Sequence, residues 1–295
     1  MTYRPARSGR HETVSLRGHD HHLMRWGPDS DEPLLFLHGF ADAAATFQFV
    51  ADEIDPAFPV LAIDWRGFGQ SARSPGGYWF PDYYADLEAM IDAFCPRGRA
   101  HIVGHSMGAN VAMAYAGIRP ARVAGLVNLE GFGLARTDPA QAPERLAQWM
   151  DELRAPAAEA EYASLDELAA RVAKRNPRLT ADRAAFIAAC WSEPLPGGRV
   201  RLLTDPAHRR VNPYLYRREE MEACWRRIEA PVLLVVGRES ELLPRLVPDG
   251  GVESFRAFVR KLEIAEVAGA GHMLHHEQPR AVARLVEAFF RQPVS

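Results

Sequence analysis

One pentapeptide constrains this chain more than any other stretch: Gly104-His105-Ser106-Met107-Gly108. The residues before it, Ala100-His101-Ile102-Val103, read as a short buried strand. Those after it, 109–116, read as a helix rich in Ala and Met. A serine between strand and helix, with glycine two residues to either side, sits on a tight turn. Side chains at those two flanking positions would collide with neighbouring backbone, and glycine removes them. Such a turn lifts the Ser106 hydroxyl clear of the sheet and aims the N-terminus of the next helix at whatever reacts there.

The chain has 295 residues, enough for one large α/β domain with an insertion. A net charge of −3 provides no field that would attract nucleic acid or anionic lipid, so neither partner is expected. The pairs Arg217-Arg218 and Arg226-Arg227 are too short for a binding stripe and read as solvated helix faces. Cys95, Cys190 and Cys224 are far apart and odd in number, which fits a reducing compartment rather than a disulfide framework. Residues 1–10 are basic but lead into no apolar core, so no secretory signal is read there and a cytoplasmic location is expected. The longest uncharged run, 102–118, holds Ser106, Asn110 and several glycines; it reads as strand plus central helix, not as a membrane span.

In chain order, 12–17 and 22–26 alternate as two opening strands joined near Gly18. Between them lies His19-Asp20-His21-His22. Strand alternation sends His21 and His22 to opposite faces and nothing downstream supplies matching ligands, so no metal is expected. An apolar strand at 33–37 runs into His38-Gly39-Phe40, followed by a helix over 43–54. The strand at 59–64 runs into Trp65-Arg66-Gly67-Phe68-Gly69-Gln70-Ser71, and Asp82 is the expected N-cap of a helix to Phe94. The next strand, 123–129, ends at Glu130-Gly131-Phe132-Gly133. The pattern then changes to helical stretches at 143–153, 164–175, 180–191 and 219–227, separated by Pro- and Gly-rich breaks. Ser164 and Glu167 form a capping box, and 192–216 is expected to be irregular. Strand pattern returns at 231–237; 252–262 reads as helix, 263–267 as a last strand and 278–291 as a closing amphipathic helix.

Three of these segments together resemble the α/β-hydrolase superfamily: the G-x-S-x-G turn, the His-Gly-Phe after an early strand, and the D-x-R-G-x-G-x-S run from Asp64 to Ser71. The resemblance covers nearly the whole chain and is nearest to a capped, serine-hydrolase-like branch, related to haloalkane dehalogenases but with serine as nucleophile. It implies an α/β fold with a mostly parallel eight-stranded sheet flanked by helices. It further implies a core formed by residues 1–133 and 226–295 and a helical cap at 134–225 that roofs the site.

The resemblance also implies a catalytic set. Acyl transfer needs an activated hydroxyl, a base, an anion that orients the base, and donors for the oxyanion. Ser106 supplies the hydroxyl. His272, in Gly269-Ala270-Gly271-His272-Met273, is the base by position; His275 and His276 follow closely, and with Glu277 they have a metal-like look. The N–H groups of Phe40 and Met107 are the expected oxyanion donors. Many members carry the acid three residues beyond a glycine after the seventh strand. Counted from Gly237 that position is Ser240, which bears no charge, and Glu239 and Glu241 flank it as alternatives. Some members keep the acid after the sixth strand, and Glu130 occupies that position.

A serine nucleophile argues against dehalogenation and epoxide opening, both of which proceed through an ester on aspartate. The expectation is a cofactor-free hydrolase of a small carboxylic ester or thioester, working through Ser106, His272 and Glu130 on a small acyl substrate. C–C bond hydrolysis, or transfer to peroxide or another acceptor, would use the same residues, and a ligand receptor on the fold would lack triad members or turn over very slowly. The aromatics Trp149, Tyr162, Trp191 and Tyr214 are available to line an acyl pocket, though most are expected to pack between helices.

Overall fold

The computed structural model describes residues 3–155, 157–246 and 251–291; the ends of the expected core lie outside these residues. β1 (Arg10–Leu16) and β2 (His19–Trp26) form an antiparallel hairpin. Its turn, Arg17-Gly18, has positive φ at both residues (53° and 76°), the twist that matches paired strands. β3 (Leu34–Leu37), β4 (Val60–Ile63), β5 (Ala100–His105) and β6 (Val123–Leu129) follow. They are separated by α1 (Gln48–Glu53), α2 (Phe80–Phe94) and α3 (Met107–Ile118). α1 is preceded by a 3₁₀ turn at Ala44–Phe47, so the helix expected over 43–54 is split in two.

Between β6 and the next core strand lie α4 (Ala142–Glu152), β7 (Glu161–Tyr162), α5 (Leu165–Arg175), α6 (Ala181–Cys190), β8 (Ser192–Pro194), β9 (Val200–Leu202) and α7 (Arg218–Trp225). β10 (Val232–Gly237), α8 (Leu243–Leu246), β11 (Leu262–Val267), α9 (Leu274–Glu277) and α10 (Pro279–Arg291) complete the order.

The main sheet has eight strands in the order β1-β2-β4-β3-β5-β6-β10-β11, and only β2 runs against its neighbours. β3, β4 and β10 are buried at every position, as strands covered on both faces must be. Alternation divides them between two cores. Leu35, Leu37, Leu61 and Ile63 face α2 and α3; Leu34, Phe36, Val60 and Ala62 face α1 and α10. A third cluster, Leu168, Val172, Ala184, Ile187 and Val200, holds the inserted layer together and takes in Phe49 from α1. α7 belongs in sequence to the insertion, but its Trp225 is buried in the main core.

The loop after β4 is tied as a unit. Ser71 donates to the Asp64 backbone carbonyl at 2.6 Å, Gln70 N donates to the Asp64 carboxylate at 2.9 Å, and Arg66 makes a two-pronged contact with the buried Asp86.

The structure departs from the sequence expectations at further places. Residues 192–216 are not wholly irregular: β8 and β9 pair with β7 in a small antiparallel sheet. Strands of two or three residues carry too little alternation to be seen in sequence. Over 252–262 only a 3₁₀ helix, Val252–Ala257, forms before β11 begins at Leu262. Asp82 is not an N-cap; α2 starts at Phe80 with Pro81 in its first turn, because proline's fixed φ suits that place. Asp82 instead pairs with Arg17 at 3.2 Å. The Ser164 cap does form, accepting from Glu167 N at 3.1 Å, while the Glu167 carboxylate accepts from Ala163 N at 2.9 Å. Among the described residues no helix is long and apolar enough to cross a membrane.

Candidate active site

β5 ends at His105, and Ser106 turns the chain with φ 49° and ψ −111° before α3 begins at Met107. A side chain at Gly108 would meet the Leu37 carbonyl oxygen at 2.3 Å, and one at Gly104 would meet Ala109 Cα at 2.6 Å. Those contacts are why the turn needs both glycines. Gly39 is needed for a related reason: a Cβ there would lie 2.7 Å from His105 Nδ1 and 3.1 Å from Ser106 Cβ. The His38-Gly39-Phe40 loop therefore lies directly against the serine turn. Phe40 and Met107 both line one cavity beside this turn, with the Met107 amide at the α3 N-terminus.

His272 Nε2 lies 3.0 Å from Ser106 Oγ, and Nδ1 lies 3.3 Å from Glu130 Oε2. With the ring proton on Nδ1, facing Glu130, Nε2 is the acceptor for the serine hydroxyl. Glu130 is buried and has φ 59°, rare for a residue with a side chain. Its Oε1 accepts from Gly237 N at 2.7 Å and its Oε2 from Ser240 Oγ at 2.5 Å.

Glu239 and Glu241 contact the backbone of the histidine loop instead of the ring. Glu239 accepts from Ala270 N at 2.7 Å and Gly269 N at 3.2 Å. Glu241 accepts from His272 N at 3.3 Å. Burial acts to raise the Glu241 carboxyl, but backbone donors and Arg178 outweigh it and hold it below the usual range.

His275 and His276 lie away from Ser106, buried on α9 and turned toward Asp42. His275 Nε2 is 3.2 Å and His276 Nε2 3.5 Å from Asp42 Oδ2. One ligand atom from each of the three lies within 4.8 Å of the others, the arrangement that gave this segment its metal-like look. Both rings, however, face a single carboxylate oxygen at hydrogen-bond or near-hydrogen-bond distance, so carboxylate–imidazole contact already accounts for the grouping. Burial and His276 push His275 down to about 3, against the pull of Asp42. Burial opposes ionisation of Asp42, yet its contacts with the imidazoles of His276 and His275 hold it well below the carboxylate range. His21 and His22 do part to opposite sides: His22 Nδ1 is 2.7 Å from Asp64 Oδ2, and His21 Nε2 is 3.9 Å from Asp86 Oδ2.

A cavity of about 240 Å³, which Met107 connects to the serine turn, has Phe40, Tyr78, Trp79, Trp149 and Pro213 among its walls. A 150 Å³ apolar cavity is known to hold benzene, so this one accommodates a group of roughly phenyl size or somewhat larger. The inserted layer supplies Trp149, Leu153 and Pro213, while the core supplies Phe40, Tyr78, Trp79 and Met107. Of the aromatics noted in the sequence, Trp149 lines this cavity and Tyr162 packs on the third cluster. Trp191 donates to Asp42, and Tyr214 is exposed.

Sequence reasoning missed His208, which is stacked between Tyr78 at 3.5 Å and Phe68 at 3.8 Å. It also missed the part Asp42 plays. Neither residue stands in a motif, and only the adjacency of Asp42 to the His-Gly-Phe loop hinted at it.

A family model described as the alpha/beta hydrolase family matches residues 34–285. A serine hydrolase-like protein of Danio rerio is 27% identical over 283 residues, covering 92% of this chain and 84% of the relative. A 2-(acetamidomethylene)succinate hydrolase of Mesorhizobium japonicum is 26% identical over 264 residues, 87% of each chain. Among solved structures, a thioesterase domain from the curacin biosynthetic pathway superposes with a TM-score of 0.84 at 23% identity. That match covers 95% of this chain and 100% of the other, and it speaks for a shared fold.

Proposed function

This chain belongs to the alpha/beta hydrolase family, and we propose that within it the protein cleaves a small carboxylic ester or thioester through Ser106, His272 and Glu130. The observation that carries this is the continuous relay from Ser106 Oγ to His272 Nε2 at 3.0 Å and from Nδ1 to Glu130 at 3.3 Å. In the proposed reaction His272 takes the serine proton as Oγ attacks the acyl carbon. The charge that develops on the carbonyl oxygen is met by the amides of Phe40 and Met107. His272 then returns the proton to the leaving oxygen or sulfur, and an acyl-enzyme remains. Water, deprotonated by the same ring, releases the acid. Glu130 stays ionised throughout and stabilises the imidazolium. Residues 134–225 act as the cap, whose Trp149 and Leu153 help to size the acyl group.

The test is a panel of p-nitrophenyl esters of increasing acyl length, together with a fluorophosphonate probe. Wild type should turn over the esters and label at Ser106. Ser106→Ala should lose the label and on the order of 10⁴-fold or more in kcat. An alanine variant that still hydrolyses or still labels would overturn the assignment. Running the assay with added alcohol or peroxide separates hydrolysis from transfer.

A further inference from the structure

Asp42 is buried two residues after Phe40, and its carboxylate collects groups from three parts of the chain. Oδ1 accepts from Ala43 N at 2.9 Å and Thr46 Oγ1 at 2.8 Å, both on its own loop. The same oxygen accepts from the indole N–H of Trp191 at 2.9 Å, which comes from the inserted layer at the end of α6. Oδ2 faces His275 Nε2 at 3.2 Å and His276 Nε2 at 3.5 Å, from the turn that begins just after His272.

The loop needs such an anchor. Ala41 has φ 58°, a left-handed conformation that costs a residue with a Cβ, and Asp42 N reaches back to the Gly39 carbonyl at 3.4 Å to close the turn around Phe40. Released from its donors, this segment would relax and carry the Phe40 amide with it. The histidine side is linked in two ways. His275 lies three residues from His272, and its ring packs at a tilt against His105, with centroids 4.1 Å apart. His105 Nε2 in turn lies 2.8 Å from the backbone carbonyl of His272.

We propose that Asp42 is a positioning residue that sets the Phe40 amide and the His272 ring together, and that Trp191, as one of its donors, makes this alignment depend on the seating of the inserted layer. The proposal rests on the serine-hydrolase reading for its effect on rate, but the joining of the three segments at Asp42 stands apart from it. A neutral amide at position 42 would offer one acceptor oxygen where two are used and would turn N–H groups toward other donors. Trp191→Phe removes one donor, keeps an aromatic though smaller ring, and leaves the carboxylate with its remaining partners.

Steady-state kinetics, affinity for a trifluoromethyl ketone, and hydrogen exchange test this on the full chain. The ketone forms a tetrahedral adduct and so reports on the oxyanion donors. In Trp191→Phe, kcat should fall about 5- to 20-fold with KM within twofold, and ketone affinity should fall in step, because sub-ångström misplacement acts on the transition state. Asp42→Asn, where it folds, should lose about 100-fold in kcat. Amide exchange in Trp191→Phe should quicken in 38–47 and 270–278 as well as near residue 191. Exchange raised only near residue 191, or kcat held within twofold in an active enzyme, would overturn the proposal. If wild type hydrolysed none of the esters, the esterase reading would fall, and exchange in the three segments would still decide whether Asp42 joins them.

Discussion

Ser240 donates its hydroxyl to Glu130 Oε2 across 2.5 Å, and that same oxygen faces His272 Nδ1 at 3.3 Å. The residue at the position where the family often carries its acid is thus a neutral donor to a carboxylate that arrives from the neighbouring strand. Together with Gly237 N, it leaves Glu130 hydrogen-bonded on both oxygens. A buried carboxylate needs such partners to stay ionised.

The first prediction concerns this carboxylate. Glu130→Gln should fold and lose about 10²- to 10⁴-fold in kcat, because an amide at Nδ1 supports the wrong tautomer and no imidazolium. Glu239→Gln and Glu241→Gln, which contact only the loop backbone, should each lose less than about tenfold. Measuring kcat for the three on one activated ester decides the acid: a severe loss at Glu239 or Glu241 with Glu130→Gln nearly intact would move it to the seventh-strand loop.

Ser240 supplies a second prediction. Ser240→Asp alone sets two carboxylates on one site and should lower kcat by about tenfold or more, since both cannot ionise freely. Combined with Glu130→Gln, it should regain at least about tenfold over the Gln single variant. A double variant no better than Glu130→Gln would mean that an acid at 240 does not serve the ring.

Stability at the loop after β4 rests on Asp86, which is fully buried and bound by Arg66 through two prongs and by Arg17 at 2.8 Å. Asp86→Ala would leave the buried Arg66 guanidinium with only Asp82, at 3.6 Å, as a carboxylate partner among the described residues. Urea unfolding should register a loss of about 3–5 kcal/mol. A loss under about 1 kcal/mol would show that water or rearrangement meets the guanidinium.

Acid sensitivity follows from the buried imidazoles. Burial pushes His208 down to about 4, with its contact to the Arg66 carbonyl pulling the other way. Below the ordinary histidine value of about 6.5 the unfolded chain takes up a proton that the folded one refuses. Stability from this residue is therefore complete above pH 6.5 and declines as the pH falls toward 4, and His275 acts in the same sense to about 3. Urea midpoints should drop between pH 7 and 5, and by less in His208→Phe, which keeps a ring between Tyr78 and Phe68. Equal pH slopes in the two proteins would remove His208 from the account.

The cavity yields a selectivity prediction. Trp149→Ala opens a wall of the 240 Å³ space, and the ratio of kcat/KM for octanoyl over acetyl ester should rise about fivefold or more. An unchanged ratio would place the acyl group elsewhere.

Much of this architecture was legible in the sequence because its signals are local. Leu34 to Leu37 and Val232 to Val236 are short unbroken apolar runs bounded by turn residues, and their length and flanks mark them as buried strands rather than helices. Gly104 and Gly108 announce a turn that excludes side chains. The Ser164 cap follows from three-residue spacing. The strands Ser192–Pro194 and Val200–Leu202 escaped notice because their stability comes from pairing with one another and with Glu161–Tyr162, not from any pattern within them. α7 was assigned by chain position to the insertion, but the burial of Trp225 against the main core is a matter of packing.

The sequence by itself pointed to the family's fold and the chemistry on offer: a serine on a tight turn, a histidine in a glycine loop, and no charge at Ser240. The turn follows from residue type and spacing over a few positions, where steric rules act locally; the fold, the role of the histidine and the meaning of Ser240 are what the resemblance to the family implied. Tertiary packing accounts for how Glu130, already the expected acid, comes to face His272 at 3.3 Å. β6 lies beside β10, and that adjacency brings Glu130 to Ser240 across 110 residues of chain. Tertiary packing alone turned Asp42, Trp191 and His275 toward one another, since residues so far apart in sequence share a hydrogen-bond site only after three separate segments have packed.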